Sequence, residues 1–237
     1  MRDSLCIVMP AYNEEENLEK VLADWYPVLR PHEGDGKSKL IVVDDGSTDG
    51  TYGMLLRLKE QYPLLCPVRK ENGGHGPALI EGYRLALLTG ADYIFQTDSD
   101  GQTLSSEFER FWRQRLPGGA VIGFRPVRGD GASRAFVEKV LCAILFVIFG
   151  VRLKDANAPF RLMHRDLLAS YLGRIAPDYA LPNVMLTTFF AYYHEPVRFR
   201  RITFRDRQGG SGSINLKKIF FIGLREIGAF LRFRSAM

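Results

Sequence analysis

Short apolar runs separated by amphipathic stretches set the pattern of the first half of the chain. Ser4–Met9, Leu40–Val43, Leu64–Val68, Asp92–Thr97 and Gly118–Phe124 read as buried strands, because each is short, apolar and bounded by turn residues. After the first run, Leu18, Val21, Leu22 and Trp25 recur at i, i+3, i+4 and i+7, which predicts a helix with one buried face. Asn13 is placed to cap that helix, with Glu14, Glu15 and Glu16 in its first turn. A second helix is expected to about Gln61, with Leu55, Leu58 and Tyr62 inward. A third opens at Pro77, a residue suited to the first helical position, and turns Leu79, Tyr83 and Leu87 to the core. Ser106 and Glu109 have the spacing of a capping box and predict a fourth. Strand–helix alternation with short links implies an α/β fold, a mostly parallel sheet flanked by helices and joined by right-handed crossovers.

The second half is more helical. Residues 133–150 are almost all apolar, and 165–194 read as helices, with Pro182-Asn183 opening the second. Val197–Arg205 alternates apolar residues with Arg, like a half-exposed strand. From Ile214 to Phe233, Ile, Leu and Phe are interleaved with Lys217, Lys218, Arg225 and Arg232, which predicts a C-terminal amphipathic helix. With no repeat or low-complexity tract, the organisation expected is one catalytic domain over 1–215 and a docking extension over 216–237.

Composition adds little to this picture. The 237 residues are 46% hydrophobic and 25% charged, an ordinary globular balance. Lys and Arg exceed Asp and Glu by 32 to 27, a net charge of +5 that suits an anionic partner such as a nucleotide or a phospholipid surface, and equally an ordinary basic surface. Cys6, Cys66 and Cys142 lie in separate apolar runs with no C-x-x-C, so they read as reduced core residues of a cytosolic protein. Met1-Arg2-Asp3 runs directly into the first strand, so no signal peptide is expected. The longest uninterrupted apolar run, Val140–Val151, is too short to span a bilayer.

The candidate chemistry gathers at strand ends. Side chains alternate along a strand, so Asp98 and Asp100 point the same way as the 92–97 strand gives out. Two carboxylates there, with Gln102 as a third oxygen, can hold a hard divalent cation that shares its remaining positions with water and substrate phosphates. The same residues also suit a turn. The convergence of Pro10–Glu14, Asp44–Asp49, the loop Asn72-Gly73-Gly74-His75-Gly76 and Asp98–Gln102 at the carboxyl ends of the strands favours the metal. Arg125, Arg128 and Arg134 follow within ten residues of loop, and Arg forks match phosphate oxygens; solvated surface arginines are the plainer alternative.

These segments together resemble glycosyltransferase family 2, and within it the polyprenyl-phosphate (dolichol-phosphate) hexosyltransferases. The matching blocks are MPAYNEEENL at 9–18, VVDDGSTDGT at 42–51, NGGHGPALIEGYRLAL at 72–87, ADYIFQTDSDGQ at 91–102, GFRPVRGDGASR at 123–134, DANAPFRLM at 155–163 and FRDRQGGSGS at 204–213. The resemblance implies the nucleotide-binding fold of A-type glycosyltransferases and inverting transfer of a hexose from UDP or GDP to a polyprenyl (undecaprenyl or dolichyl) phosphate. By position, Pro10, Tyr12 and Glu14 would line the base and ribose pocket, with Asp44 and Asp45 helping to hold the base. Asp98, Asp100 and Gln102 would bind Mg²⁺ or Mn²⁺ against the donor diphosphate. Arg125 and Arg134 would hold the acceptor phosphate, and Arg207 would close over the diphosphate. His75 stands where the family's glycine loop usually has Lys, and Ser211-Gly212-Ser213 where a Ser-Lys pair is usual.

No residue reads as a general base for an alcohol acceptor. A phosphate acceptor needs none, because a phosphomonoester has a second pKa of about 6 and is largely dianionic at neutral pH. Asp155 reads either as a structural salt bridge or as the group that orients an arginine. Residues 133–151 and 214–237 would lie in the membrane interface or dock on a membrane protein. The expected setting is therefore the cytoplasmic face of the membrane, with no nucleic-acid partner. Two other readings remain: a transferase of the same fold acting on a polysaccharide or lipid-linked oligosaccharide, and an inactive nucleotide-binding protein that docks on membranes. A sugar-phosphate nucleotidyltransferase would carry a Gly-rich phosphate loop where Pro10–Glu14 stands.

Overall fold

The computed structural model describes residues 3–33, 36–126, 132–206 and 216–236. Seven strands form one sheet: β1 Leu5–Ala11, β2 Lys39–Asp44, β3 Leu65–Arg69, β4 Tyr93–Gln96, β5 Ala120–Phe124, β6 Arg161–His164 and β7 Val197–Arg201. Their order is β3-β2-β1-β4-β6-β5-β7, and every neighbouring pair is parallel except the two that β6 makes. The helices are α1 Leu18–Leu29, α2 Thr51–Gln61, α3 His75–Thr89, α4 Phe108–Arg113, α5 Ala132–Phe149, α6 Arg165–Leu172, α7 Pro182–Tyr192 and α8 Leu216–Ser235.

Both faces of the sheet are covered, which explains the continuously apolar strands. Leu5, Ile7 and Met9 of β1 face a core with Leu22, Trp25, Phe95, Phe111 and Phe160. Cys6 and Val8, one step out of phase, face a second core with Tyr83, Leu145, Met185 and Phe189. In the first core Trp25, Phe95 and Phe160 pack with ring centroids 5.3 and 4.7 Å apart along the chain of contacts. Burying each such ring contributes about 1.5–3 kcal/mol. Gly82 lets α3 lie close on β1, since a Cβ there would sit 2.4 Å from Val8 Cγ1.

Three local expectations are corrected, and one strand is added. Asn13 does not cap α1: it adopts φ 53°, residues 14–17 form a turn closed by the Glu14 carbonyl, and the helix starts at Leu18. Pro77 is not the first residue of α3, which opens at His75. The Ser106–Glu109 box does not form; a 3₁₀ turn spans Ser105–Glu107, α4 starts at Phe108, and Glu109 pairs instead with Arg113 Nε at 2.8 Å. Arg161–His164, to which the sequence pattern assigns no element, is a strand that runs against its neighbours.

The C-terminal half of α8 packs on the body of the protein. Phe230 is buried against Phe149 of α5, and Phe233 lies against Tyr179 and Phe189. No helix among the described residues is long and apolar enough to cross a membrane.

Candidate active site

The carboxyl ends of β1, β2 and β4 bring three of the predicted segments to one edge, stitched by side chains. Asn13 N donates to Ser47 Oγ at 2.9 Å, and Asn13 Oδ1 accepts from Thr48 N at 2.9 Å. Glu14 N donates to Thr51 Oγ1 at 2.9 Å, and Gly50 N to Glu15 Oε2 at 2.9 Å. Gly46, at φ 71°, lies so close to the glycine loop that a Cβ would meet Asn72 N at 2.7 Å. Pro10 is buried in β1, paired with Val43, while Tyr12 is half exposed at the strand's end. Glu14 is buried and its Oε2 accepts from Asn17 Nδ2 at 2.9 Å.

Asp44 and Asp45 are both buried but differ in what they hold. Asp45 is fully engaged: Oδ1 accepts from Lys70 Nζ at 2.6 Å and Gly73 N at 3.0 Å, and Oδ2 from Gly74 N at 2.7 Å. It is the clamp of the glycine loop. Asp44 Oδ1 accepts from Ser47 N at 3.2 Å, whereas among the described residues its buried Oδ2 meets no hydrogen-bond donor and has Arg69 Nε at 3.4 Å as counter-charge. A buried acceptor without a donor is costly alone and ready for an N–H from a ligand.

Across β1, Asp98 and Asp100 follow β4. Asp98 accepts one hydrogen bond, from Gln96 Nε2 at 3.0 Å, and His75 Nε2 stands 3.9 Å from the same oxygen. Burial raises the Asp98 pKa, opposed by the neighbouring His75 and Arg125 and reinforced by Glu14. A bound cation would relieve that strain. Asp100 Oδ1 accepts from Gln102 N at 3.1 Å. Gln102 clasps the chain beyond β7: its Nε2 donates to the Arg205 carbonyl at 2.8 Å, and its carbonyl accepts from Arg205 N at 2.9 Å. Among the described residues no three His, Cys, Asp or Glu side chains close into a metal cage. By its chemistry, a set of two carboxylates and an amide oxygen suits a hard cation that takes its other ligands from water and substrate phosphates.

Arg125 lies beyond β4 and β6, at the end of β5, so about 10 Å of sheet separates it from the acids. Its Nε and Nη2 fork onto Asp155 at 2.8 and 2.9 Å, Glu138 Oε2 is 3.9 Å away, and Phe204 lies under the guanidinium. Asp155 thus pairs with an arginine, which fits both of its sequence readings, the structural salt bridge and the orienting group. The side chains of Arg128 and Arg134, and all of Arg207 and 211–213, lie outside the described residues.

Sequence reasoning passed over Arg69, Lys70, Glu138, Arg161 and Asn183. Arg161 carried a signal, a charged residue inside the apolar run Phe160–Met163. The others are recognisable only through partners distant in sequence. A cavity of about 630 Å³ at the opposite edge, between Asp3, His32, Trp112 and Arg115, contains none of the candidate residues.

The family model for Glycosyl transferase family 2 matches residues 6–172. A dolichyl-phosphate beta-glucosyltransferase of Trichomonas vaginalis is 31% identical over 176 residues, 67% of this chain and 53% of that one. A polyprenol monophosphomannose synthase of Mycolicibacterium smegmatis is 29% identical over 171 residues, 68% of this chain and 62% of that one. The match thus spans little more than half the length of these curated relatives. In fold the chain is similar to glucosyl-3-phosphoglycerate synthase of Mycobacterium tuberculosis, solved with Mn²⁺, UDP and glucosyl-3-phosphoglycerate: TM-score 0.68, 23% identity, 99% of this chain and 81% of that one. That neighbour shares the sheet and its helical layers, the A-type glycosyltransferase fold. With the family match covering most of the chain and running through the strand ends that carry the acids, the chain belongs to glycosyltransferase family 2.

Proposed function

We propose that the chain transfers a hexose from UDP or GDP to a polyprenyl phosphate, with inversion, at the cytoplasmic face of a membrane. The observation that carries the donor half is the edge where Asp44, with its unpartnered buried oxygen, and Asp98, with a single hydrogen bond, flank β1. Asp44 Oδ2 accepts an N–H of the base beside Pro10, Tyr12 and Glu14, and Asp45 holds the glycine loop in place. Asp98, Asp100 and Gln102 would hold Mg²⁺ or Mn²⁺. When bound, the metal neutralises the charge that develops on the leaving diphosphate. Arg207 adds a cation over the same group.

For the acceptor, the relatives named above act on dolichyl and polyprenol phosphates. Arg125 and Arg134 grip the acceptor phosphate, with Asp155 fixing the plane of the Arg125 guanidinium. The dianion attacks the anomeric carbon directly and requires no protein base. Exposed residues of α5 support a membrane setting. Phe136, Val140, Phe146 and Val147 are 67, 41, 45 and 82% exposed, Lys139 lies on the same face, and Arg152 sits 5.3 Å from the Phe146 ring. Apolar side chains with basic neighbours fit the headgroup region. The domain over 1–215 then carries catalysis, and 216–237 braces the interface helix or a membrane-protein partner.

The test is incubation with a panel of UDP- and GDP-hexoses and undecaprenyl phosphate, with product identified by mass. A glycosylated lipid phosphate is expected, and UDP or GDP should bind more tightly with Mn²⁺ than without. Transfer to a glycan with none to the lipid phosphate overturns the acceptor assignment; nucleotide binding indifferent to metal overturns the donor half. Arg125→Ala should weaken acceptor use more than nucleotide binding, and an equal loss of both would move Arg125 to the donor side.

A further inference from the structure

The interior directly beneath Asp98 is polar. Gln96, Tyr83 and Arg161 are fully buried, and Asn183 is 2% exposed. Gln96 Nε2 donates to Asp98 Oδ1 at 3.0 Å, Asn183 Nδ2 to Gln96 Oε1 at 3.1 Å, and the Tyr83 hydroxyl to Asn183 Oδ1 at 3.0 Å. Gln96 turns its NH₂ to Asp98, its side-chain carbonyl accepts from Asn183, and the Asn183 side-chain carbonyl accepts from Tyr83. All three donors point toward the acid.

Arg161 anchors the inner end. Its Nη1 donates to the main-chain carbonyl of Asn183 at 3.2 Å, its Nε and Nη2 to the Ala158 carbonyl at 3.2 and 3.1 Å, and Nη2 also to the Ala156 carbonyl at 3.4 Å. Thr187 Oγ1 ties the Asn183 and Ala156 carbonyls together at 2.8 and 3.0 Å. No carboxylate among the described residues comes within ion-pair distance of Arg161. Arg161 is thus a buried guanidinium seated on carbonyls, and its charge is felt first by Tyr83 and then by Asp155 and Asp98. Asn183 lies on α7, beyond the residues 6–172 that the family model matches.

We infer that Asn183, Gln96 and Arg161 are positioning residues for Asp98: they hold one carboxylate oxygen from inside, above a fixed buried charge, so that the acid meets a divalent cation already oriented. This rests on the reading of Asp98 as a metal ligand. Partners that orient a ligand from behind typically contribute about 10–100-fold in metal affinity.

The test is titration of the full chain with Mn²⁺ alone, read by electron paramagnetic resonance of the free ion, for wild type, Asn183→Leu, Tyr83→Phe and Asp98→Asn. Asn183→Leu breaks the chain at its middle and is expected to weaken Mn²⁺ about tenfold. Metal-free nucleotide affinity should be unchanged, a split that mere loosening of the core would not give. Tyr83→Phe removes only the last donor and should weaken Mn²⁺ by about two- to threefold. Folded Asn183→Leu with wild-type Mn²⁺ affinity overturns the inference. If Asn183→Leu does not fold, Tyr83→Phe decides alone, and wild-type affinity there overturns it. Should Asp98→Asn itself bind Mn²⁺ normally, the metal-ligand reading falls; loss in Asp98→Asn with none in Asn183→Leu removes only the positioning role.

Discussion

Asp92 and Asp98 flank the same short strand and live opposite lives. At the entry to β4, Asp92 Oδ2 accepts from the Ser4 N–H at 2.8 Å and the Ser4 hydroxyl at 2.7 Å, and Asp92 N returns a bond to Ser4 Oγ at 3.0 Å. Burial alone would raise its pKa, but the two Ser4 hydrogen bonds, with the charges of Lys37 and Arg165, together hold the value below the usual 3.8. At the exit, Asp98 has one donor and a raised pKa, with burial as the first cause. One acid is satisfied by its own chain and acts as a staple between β1 and β4. The other is left with acceptor capacity facing outward. Residue type and strand are the same; the supply of donors separates structure from chemistry.

The sharpest break of this contrast is Asp98→Asn. Turnover should fall to background, at least about a hundredfold, while the thermal midpoint stays within about 2 °C, because Asn can still accept from Gln96. Retained turnover would sink the metal assignment. Asp44→Asn comes next: loss of a charged acceptor should weaken UDP or GDP binding about 10–100-fold by calorimetry. Wild-type affinity would mean that the base does not meet this oxygen. The smallest effect belongs to Asp92→Ala, which should leave turnover intact and lower stability by about 2 kcal/mol, a midpoint shift of about 5 °C. Its sign with pH follows from the lowered value. The contribution is complete above the ordinary carboxylate value and lost as pH falls through the folded one, so wild type and variant should converge in acid. Divergence in acid would show that Asp92 is not the staple.

Much of this was legible in the chain. Buried parallel strands read as apolar runs, and Asp44, Asp98 and the glycine loop announced themselves by falling where those runs end. The start of α1 was not legible, since Asn13 gives its side chain to Thr48 on the neighbouring strand-end loop rather than to its own helix. Nor was β6: four residues beginning with Arg and ending with His carry no strand pattern until β4 and β5 are placed on either side. The same limit hid Asn183, which beside Pro182 reads only as a helix start, and Glu138, whose carboxylate serves the Ala156 N–H at 2.7 Å across the turn between α5 and β6.

The reversed β6 also imposes a timetable on synthesis. β3, β2, β1 and β4 can pair in sequence as they leave the ribosome. β5 emerges before the strand that must separate it from β4, so the outer edge of β4 stays open until residue 164 is made. At about 5–20 residues per second, that wait lasts on the order of several seconds. When β6 finally inserts, it closes the edge and delivers Arg161 beneath Asp98 in the same movement. β7 and Asn183 follow later in the chain, so the outer strand and the polar floor beneath Asp98 are finished only after the edge of β4 has closed.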